Sequence, residues 1–216
     1  MTSQLSVVQV QGSEQHLSAL ARLHARSFPD SALTKLGHNA LMRYYAWQLS
    51  DVHDSIALIA QYESRPVGFC VGGTFRGALS GFVRHNIRFL IMRIIIRPSM
   101  LLHGAVWRRI PLAGLSLWRG MRDPPVRPRP TEQRFGIQAI GVDPSARRLG
   151  AGRALMDAAE SIARSRGAAV MTLSVGRDNA SAIRFYSALG WQMSSVAVTH
   201  GAVSMVKSID AAALGA

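Results

Sequence analysis

The stretch DPSARRLGAGRAL, Asp143–Leu155, sets two arginines and two glycines between an apolar run and an amphipathic one. The run before it, Phe135–Val142, predicts a strand that Asp143-Pro144 stops. The spacing after it predicts a helix from about Gly150 to Ser165. Ala154, Leu155, Ala158 and Ile162 should face the core of that helix. Arg164 and Arg166 suit its negative end, and Gly167 should terminate it. A loop so placed favours an anion. Glycines let a ligand come close to the backbone, a helix N-terminus adds partial positive charge, and Arg147, Arg148 and Arg153 add full charges. The loop is not a P-loop, because G-x-x-x-x-G-K-[ST] is absent. It is not a dinucleotide fingerprint either, because Gly150-Ala151-Gly152 runs into Arg153-Ala154-Leu155 with no third glycine.

Downstream, Ala169–Val175 reads as a strand. Asp178 or Asn179 caps a helix over Ala180–Leu189, which ends at Gly190. Two strands, about Met193–Thr199 and Ala202–Ile209, flank His200-Gly201. Upstream, Leu5–Val10 reads as a strand. Ser13 caps a helix with Leu17, Leu20, Ala21 and His24 on one face. A second helix is predicted from about Thr34 to Leu49, with Gly37 weakening its first turn. Ser55–Tyr62 and Val67–Thr74 read as a hairpin joined at Glu63-Ser64-Arg65-Pro66. The order of elements predicts one mixed α/β domain over residues 1–210, with 211–216 a frayed tail.

The loop, R-x-x-G-x-G, together with Asn179-Ala180-Ser181-Ala182-Ile183-Arg184-Phe185-Tyr186-Ser187-Ala188-Leu189-Gly190-Trp191 about thirty residues on, resembles the two cofactor motifs of the GNAT acetyltransferase superfamily. The second is usually written N-x-x-A-x-x-F-Y-x-x-x-G-[FW]. The resemblance is specific from about Gly136 to Trp191. It implies a mostly antiparallel sheet flanked by helices, acetyl-CoA as co-substrate and a small-molecule amine as acceptor. It also implies roles. Ile140, Gly141 and Val142 would pair with the pantetheine arm, and the N–H near Val142 would polarise the thioester carbonyl. Arg147, Arg148, Leu149, Gly150, Ala151, Gly152 and Arg153 would hold the pyrophosphate. Asn179 would hydrogen-bond the cofactor, and Tyr186 would protonate the departing thiolate. Two positions depart from the pattern: Gly136 and Ser174 stand where many relatives carry Glu. The base candidates left are Glu132, His24, His38 and His200, or water.

The formal net charge is +13. It disfavours polyamine acceptors and favours an acceptor carrying phosphate, such as a phosphate-bearing amino sugar. Only two of the 25 basic residues are lysine, Lys35 and Lys207. With no helix-turn-helix, zinc-ligand or RNA-recognition signature, a nucleic-acid role is not expected, and no metal site is expected. One cysteine, Cys70, suits a reducing compartment and reads as a small buried hydrophobe. No signal-peptide pattern or membrane-length apolar run appears, which suggests a cytoplasmic protein.

Residues 64–122 contain ten arginines and no Asp or Glu. Residues 77–131 read as a basic insertion of short helices, broken at Pro98, Pro111 and the proline-rich 123–130. Three readings stay open: a solvated arginine face, a cover over an anionic substrate, or a peripheral contact with an anionic membrane surface. Arg84 and Arg88 fall about 40° apart on a straight helical wheel, with Arg93 and Arg97 on the opposite side, which speaks against one clean polar face.

Overall fold

The computed structural model describes residues 4–75, 78–96, 134–194 and 201–209. The remainder of the expected insertion, 97–131, and the expected tail, 211–216, lie outside the described residues. The chain divides into two compact units. One holds Met1–Val10, Asp54–Thr74 and Arg129–Ala216; the other holds Gln11–His53 and Phe75–Pro128.

The first unit is built on a seven-stranded sheet. Its strands are β1 (Leu5–Val10), β2 (Asp54–Tyr62), β3 (Arg65–Thr74), β4 (Arg134–Val142), β5 (Val170–Gly176), β6 (Gln192–Met193) and β7 (Ala202–Ser208). Their order is β1-β2-β3-β4-β5-β7-β6. Every pairing is antiparallel except β4 with β5. The expected β2–β3 hairpin is present, closed by only two residues. Glu63 and Ser64 both have positive φ, 49° and 64°, the twist that suits a two-residue hairpin loop. Of the two strands expected at the end, the second is β7. The first is seen only as Gln192–Met193, since 195–200 lie outside the described residues.

Two helices of this unit carry the motifs, α5 (Ala151–Ser165) and α6 (Ala180–Ala188). The core stripe of α5 is Ala151, Leu155, Met156, Ala159 and Ala163. It is rotated from the expected Ala154, Ala158 and Ile162, of which the last two are partly buried at its margin. The small alanines of the true stripe let the helix lie close on the sheet, where Leu155 joins Ile56, Leu58, Ala60 and Cys70 in one cluster. Arg166 and Gly167 end the helix as expected, Gly167 at φ 71°.

The second unit is helical: α1 (Glu14–Ser27), α2 (Ala32–Leu36), α3 (His38–Gln48) and α4 (Ala78–Ile96). Ser13 caps α1 through a hydrogen bond from the His16 N–H, and the predicted face is buried. The single helix expected over Thr34–Leu49 is two helices. Gly37, at φ 97°, leaves the helical region between them, so the glycine divides the helix rather than weakening its first turn.

Candidate functional site

Strand β4 runs beside β5 for only part of its length. The pairing covers Arg134–Ile137 against Val170–Leu173 and stops there. On its other edge β4 stays paired to β3 as far as Val142, with a register shift that leaves Gln138 as an extra residue. A bulge bends its strand, and this one falls at the residue where β5 is left behind. Beyond the bulge the Asp143 N–H donates to the Val67 carbonyl at 2.8 Å. Backbone groups of successive strand residues point to opposite edges. Val142 and Ile140 therefore direct their N–H and C=O to the edge that β5 no longer covers, and Gly141 directs its own toward β3.

The strand ends in a built turn. The buried Asp143 accepts hydrogen bonds on Oδ1 from the Ser145 N–H at 3.0 Å and from Ser145 Oγ at 2.8 Å. A 3-10 turn, Pro144–Ala146, follows. Arg148 at φ 72° and Gly150 at φ 81° then turn the chain into α5. The first helical bond is from the Ala154 N–H to the Gly150 carbonyl, and no side chain caps the helix. The N–H groups of Ala151, Gly152 and Arg153 precede that bond and lead the helix. Arg147, Arg148, Leu149, Gly150 and Arg153 are exposed. None of the three arginines is in an ion pair among the described residues. The loop is thus electropositive through both backbone and side chains.

Gly152 is where the two motifs meet. A Cβ built there would lie 3.3 Å from Phe185 Cζ and 3.7 Å from Val142 Cγ2. The start of α5 is therefore pressed against α6 on one side and β4 on the other. Next to Phe185, Tyr186 is buried between the rings of Phe185 and Trp191, with centroids at 5.3 and 6.1 Å. Its hydroxyl is pushed up to about 12, first by burial and then by its electrostatic interaction with Cys70. Cys70 is fully buried, its thiol likewise pushed up to about 12, and it sits opposite Ile140 in the β3–β4 register. Neither group loses its proton in the neutral range. Asn179 is the cap of α6, its Oδ1 accepting from the Ala182 N–H at 3.1 Å.

Gly136 and Ser174 contribute no carboxylate, and Glu132 and His200 lie outside the described residues. His38 is exposed and shares a hydrogen bond with Ser18 at 3.2 Å. His24, in the helical unit, is buried and pushed down to about 4 by that burial. Its partners fix its tautomer. Thr34 Oγ1 donates to the Phe28 carbonyl, and Ser31 Oγ donates to Thr34 Oγ1. Ser31 Oγ can then only accept from His24 Nε2, at 3.1 Å. Nδ1 accepts from the Tyr45 hydroxyl at 2.6 Å. The imidazole is neutral and both of its nitrogens are used, which makes it a structural residue of its own unit. Two features of the site had no motif to announce them: the Gln138 bulge and the burial of Cys70 in the same core cluster as Tyr186.

Residues 111–191 match the family model described as Acetyltransferase (GNAT) family. No curated protein matches the chain. Among solved structures, the fold is shared with the ribosomal-protein-S18-alanine N-acetyltransferase from Escherichia coli, at 17% identity over 95% of this chain and 94% of that one, TM-score 0.55. It is shared with paia N-acetyltransferase from Thermoplasma acidophilum, solved in complex with coenzyme A, at 13% identity over 95% and 99%, TM-score 0.57. A third is yncA from Salmonella typhimurium, solved with acetyl-CoA as its cofactor, at 17% identity over 97% and 96%, TM-score 0.54.

Proposed function

We propose that the chain, whose residues 111–191 match the GNAT acetyltransferase family model, moves an acetyl group from acetyl-CoA to a primary amine of a small molecule within a ternary complex. One observation carries the reading: the uncovered edge of β4 leads directly into a loop whose leading N–H groups and arginines suit a pyrophosphate. Ile140 and Val142 pair with the pantetheine amides along that edge. Arg147, Arg148 and Arg153, with the backbone from Leu149 to Gly152, hold the pyrophosphate. The Val142 N–H donates to the thioester oxygen as it gains negative charge.

The amine nitrogen forms the new C–N bond with its lone pair, and the C–S bond breaks. Tyr186 gives its proton to the leaving sulfur; a hydroxyl held at about 12 keeps that proton throughout the neutral range. The amine's surplus proton passes to water, and water returns a proton to the Tyr186 oxygen, since Gly136 and Ser174 place no carboxylate beside the strand. The acceptor therefore reacts as the neutral amine, and turnover rises with pH through the acceptor's own pKa. The helical unit and segment 77–131 are the parts we assign to acceptor choice. The charge of +13 favours an acceptor that bears phosphate, such as an amino sugar phosphate, over a polyamine.

The test is thiol release from acetyl-CoA with a panel of amines. Wild type should turn over, and Tyr186→Phe should lose about 10²–10⁴-fold in turnover with acetyl-CoA affinity kept. Binding of acetyl-CoA with no turnover on any amine would instead make the chain a silent acyl-CoA-binding module.

A further inference from the structure

The helix α4 departs from helical geometry at Asn86, which has φ −116° and ψ 16°. Side chains take up the interrupted ladder: Asn86 Nδ2 donates to the Phe82 carbonyl at 3.1 Å, and His85 Nδ1 donates to the Gly81 carbonyl at 2.9 Å. At this kink lies a cavity of about 400 Å³, lined by Arg43 of α3 and by residues 84–89 of α4. That volume is within the range of about 300–1,000 Å³ in which small-molecule sites fall.

Three arginines, Arg43, Arg84 and Arg88, are among the residues that line the cavity. Arg43 is held in place. Its Nη1 donates to Asn86 Oδ1 at 3.4 Å, and its Cζ lies over the Phe89 ring at 4.6 Å. Trp47 stacks on His85 at 4.5 Å and fixes the ring beside the pocket. Residues 64–122 contain no Asp or Glu, and none of the three arginines is in an ion pair among the described residues. Like charges around one concavity focus a positive potential into it. Three guanidinium forks also match the three outer oxygens of a phosphate better than the two of a carboxylate.

We propose that the kink of α4 forms a phosphate-binding site held by Arg43, Arg84 and Arg88. Its phosphate has two physical sources, a soluble phosphorylated molecule or a phospholipid headgroup. The kink bears on the second source. Arg93 turns inward, its Nε donating to the Leu36 carbonyl at 3.1 Å. Ile87, Ile91 and Ile95 form an exposed row at four-residue spacing, with Met92 and Ile96 beside it. Arg93 therefore adds no charge to that row, and Arg97 lies outside the described residues. A headgroup in the pocket would lay the row against the acyl boundary.

The test uses the full chain and reads each arginine separately through its assigned Nε–H NMR signal. Glycerol 3-phosphate should shift Arg43, Arg84 and Arg88 together along one saturable curve. The double variant Arg84→Gln/Arg88→Gln, at two exposed positions, should bind it more than tenfold more weakly with an unchanged melting curve, since two charge-assisted hydrogen bonds are lost. Sedimentation with phosphatidylglycerol vesicles, against phosphatidylcholine, separates the sources. Vesicle binding that disappears in the double variant assigns the site to lipid. Saturable glycerol phosphate binding without vesicle binding assigns it to a soluble molecule. The proposal is wrong if, in both arms, the three arginines respond no more than Arg22 and Arg26, which lie outside the pocket.

Discussion

The β4–α5–α6 region and the α3–α4 region both concentrate positive charge, and they do it by different means. In the first, the backbone does much of the work. Left-handed residues at Arg148 and Gly150 swing three N–H groups to the front of α5, and a bulge uncovers the edge of β4. In the second, the charge comes from side chains, set around a single non-helical residue, Asn86. A backbone device leaves glycines at fixed spacing in the sequence. A side-chain device leaves only a list of arginines.

The largest effect that tests this contrast is expected at Gly150. A Cβ there would meet only Leu5 Cδ2, at 3.9 Å, so the fold has room for it. The cost to folding comes from φ 81°, about 1–2 kcal/mol for a residue with a side chain. A ligand lying against those N–H groups loses two or three charge-assisted bonds, on the order of 10³-fold in affinity. Gly150→Val should therefore leave a folded protein with a modestly lower melting temperature and acetyl-CoA binding nearly abolished in calorimetry. Unchanged acetyl-CoA affinity in the folded variant breaks the backbone account of the loop.

The same contrast explains what the sequence disclosed. The β2–β3 hairpin, the β4–loop–α5 unit and the Asn179 cap were legible because each rests on local chemistry: alternation, glycine, a short polar cap. Helix α5 was placed correctly but its buried stripe was rotated, because alanines fill that helix and the choice of stripe belongs to the sheet it packs on. The split at Gly37 was visible only as a weakness, since tertiary packing decides whether a helix tolerates a glycine. The Gln138 bulge depends on which β3 residue lies opposite, and Asn86, at the kink of α4, accepts a hydrogen bond from Arg43. Neither partner is near in sequence, so neither feature could be read locally.

A second test separates the units by pH. His24 is pushed down to about 4 from 6.5. Between those values the unfolded chain takes a proton that the folded imidazole refuses. Its contribution to stability is present above about 6.5 and is lost as pH falls toward 4, an effect on the order of 3 kcal/mol. Amide exchange between pH 7 and 4.5 should show α1 and α3 losing protection, with β4 and α5 holding theirs, and His24→Gln should flatten that slope. Equal loss in both units across this window would mean that another group drives the acid response.

The smallest effect discriminates most finely, at Asn179. Its Oδ1 accepts from the Ala182 N–H, a cap worth about 1 kcal/mol. The same residue is proposed to hydrogen-bond the cofactor, and its amide has a second function to offer, the Nδ2 donor. Asn179→Ala should lose both, costing about 1 kcal/mol of stability together with acetyl-CoA affinity. Asn179→Ser keeps an oxygen for the cap and has no amide donor, so it should restore the melting temperature without restoring the affinity. If Ser restores both, the residue acts on the cofactor only by shaping the start of α6. The side chain would then join Arg148 and Gly150 among the devices that work through the backbone.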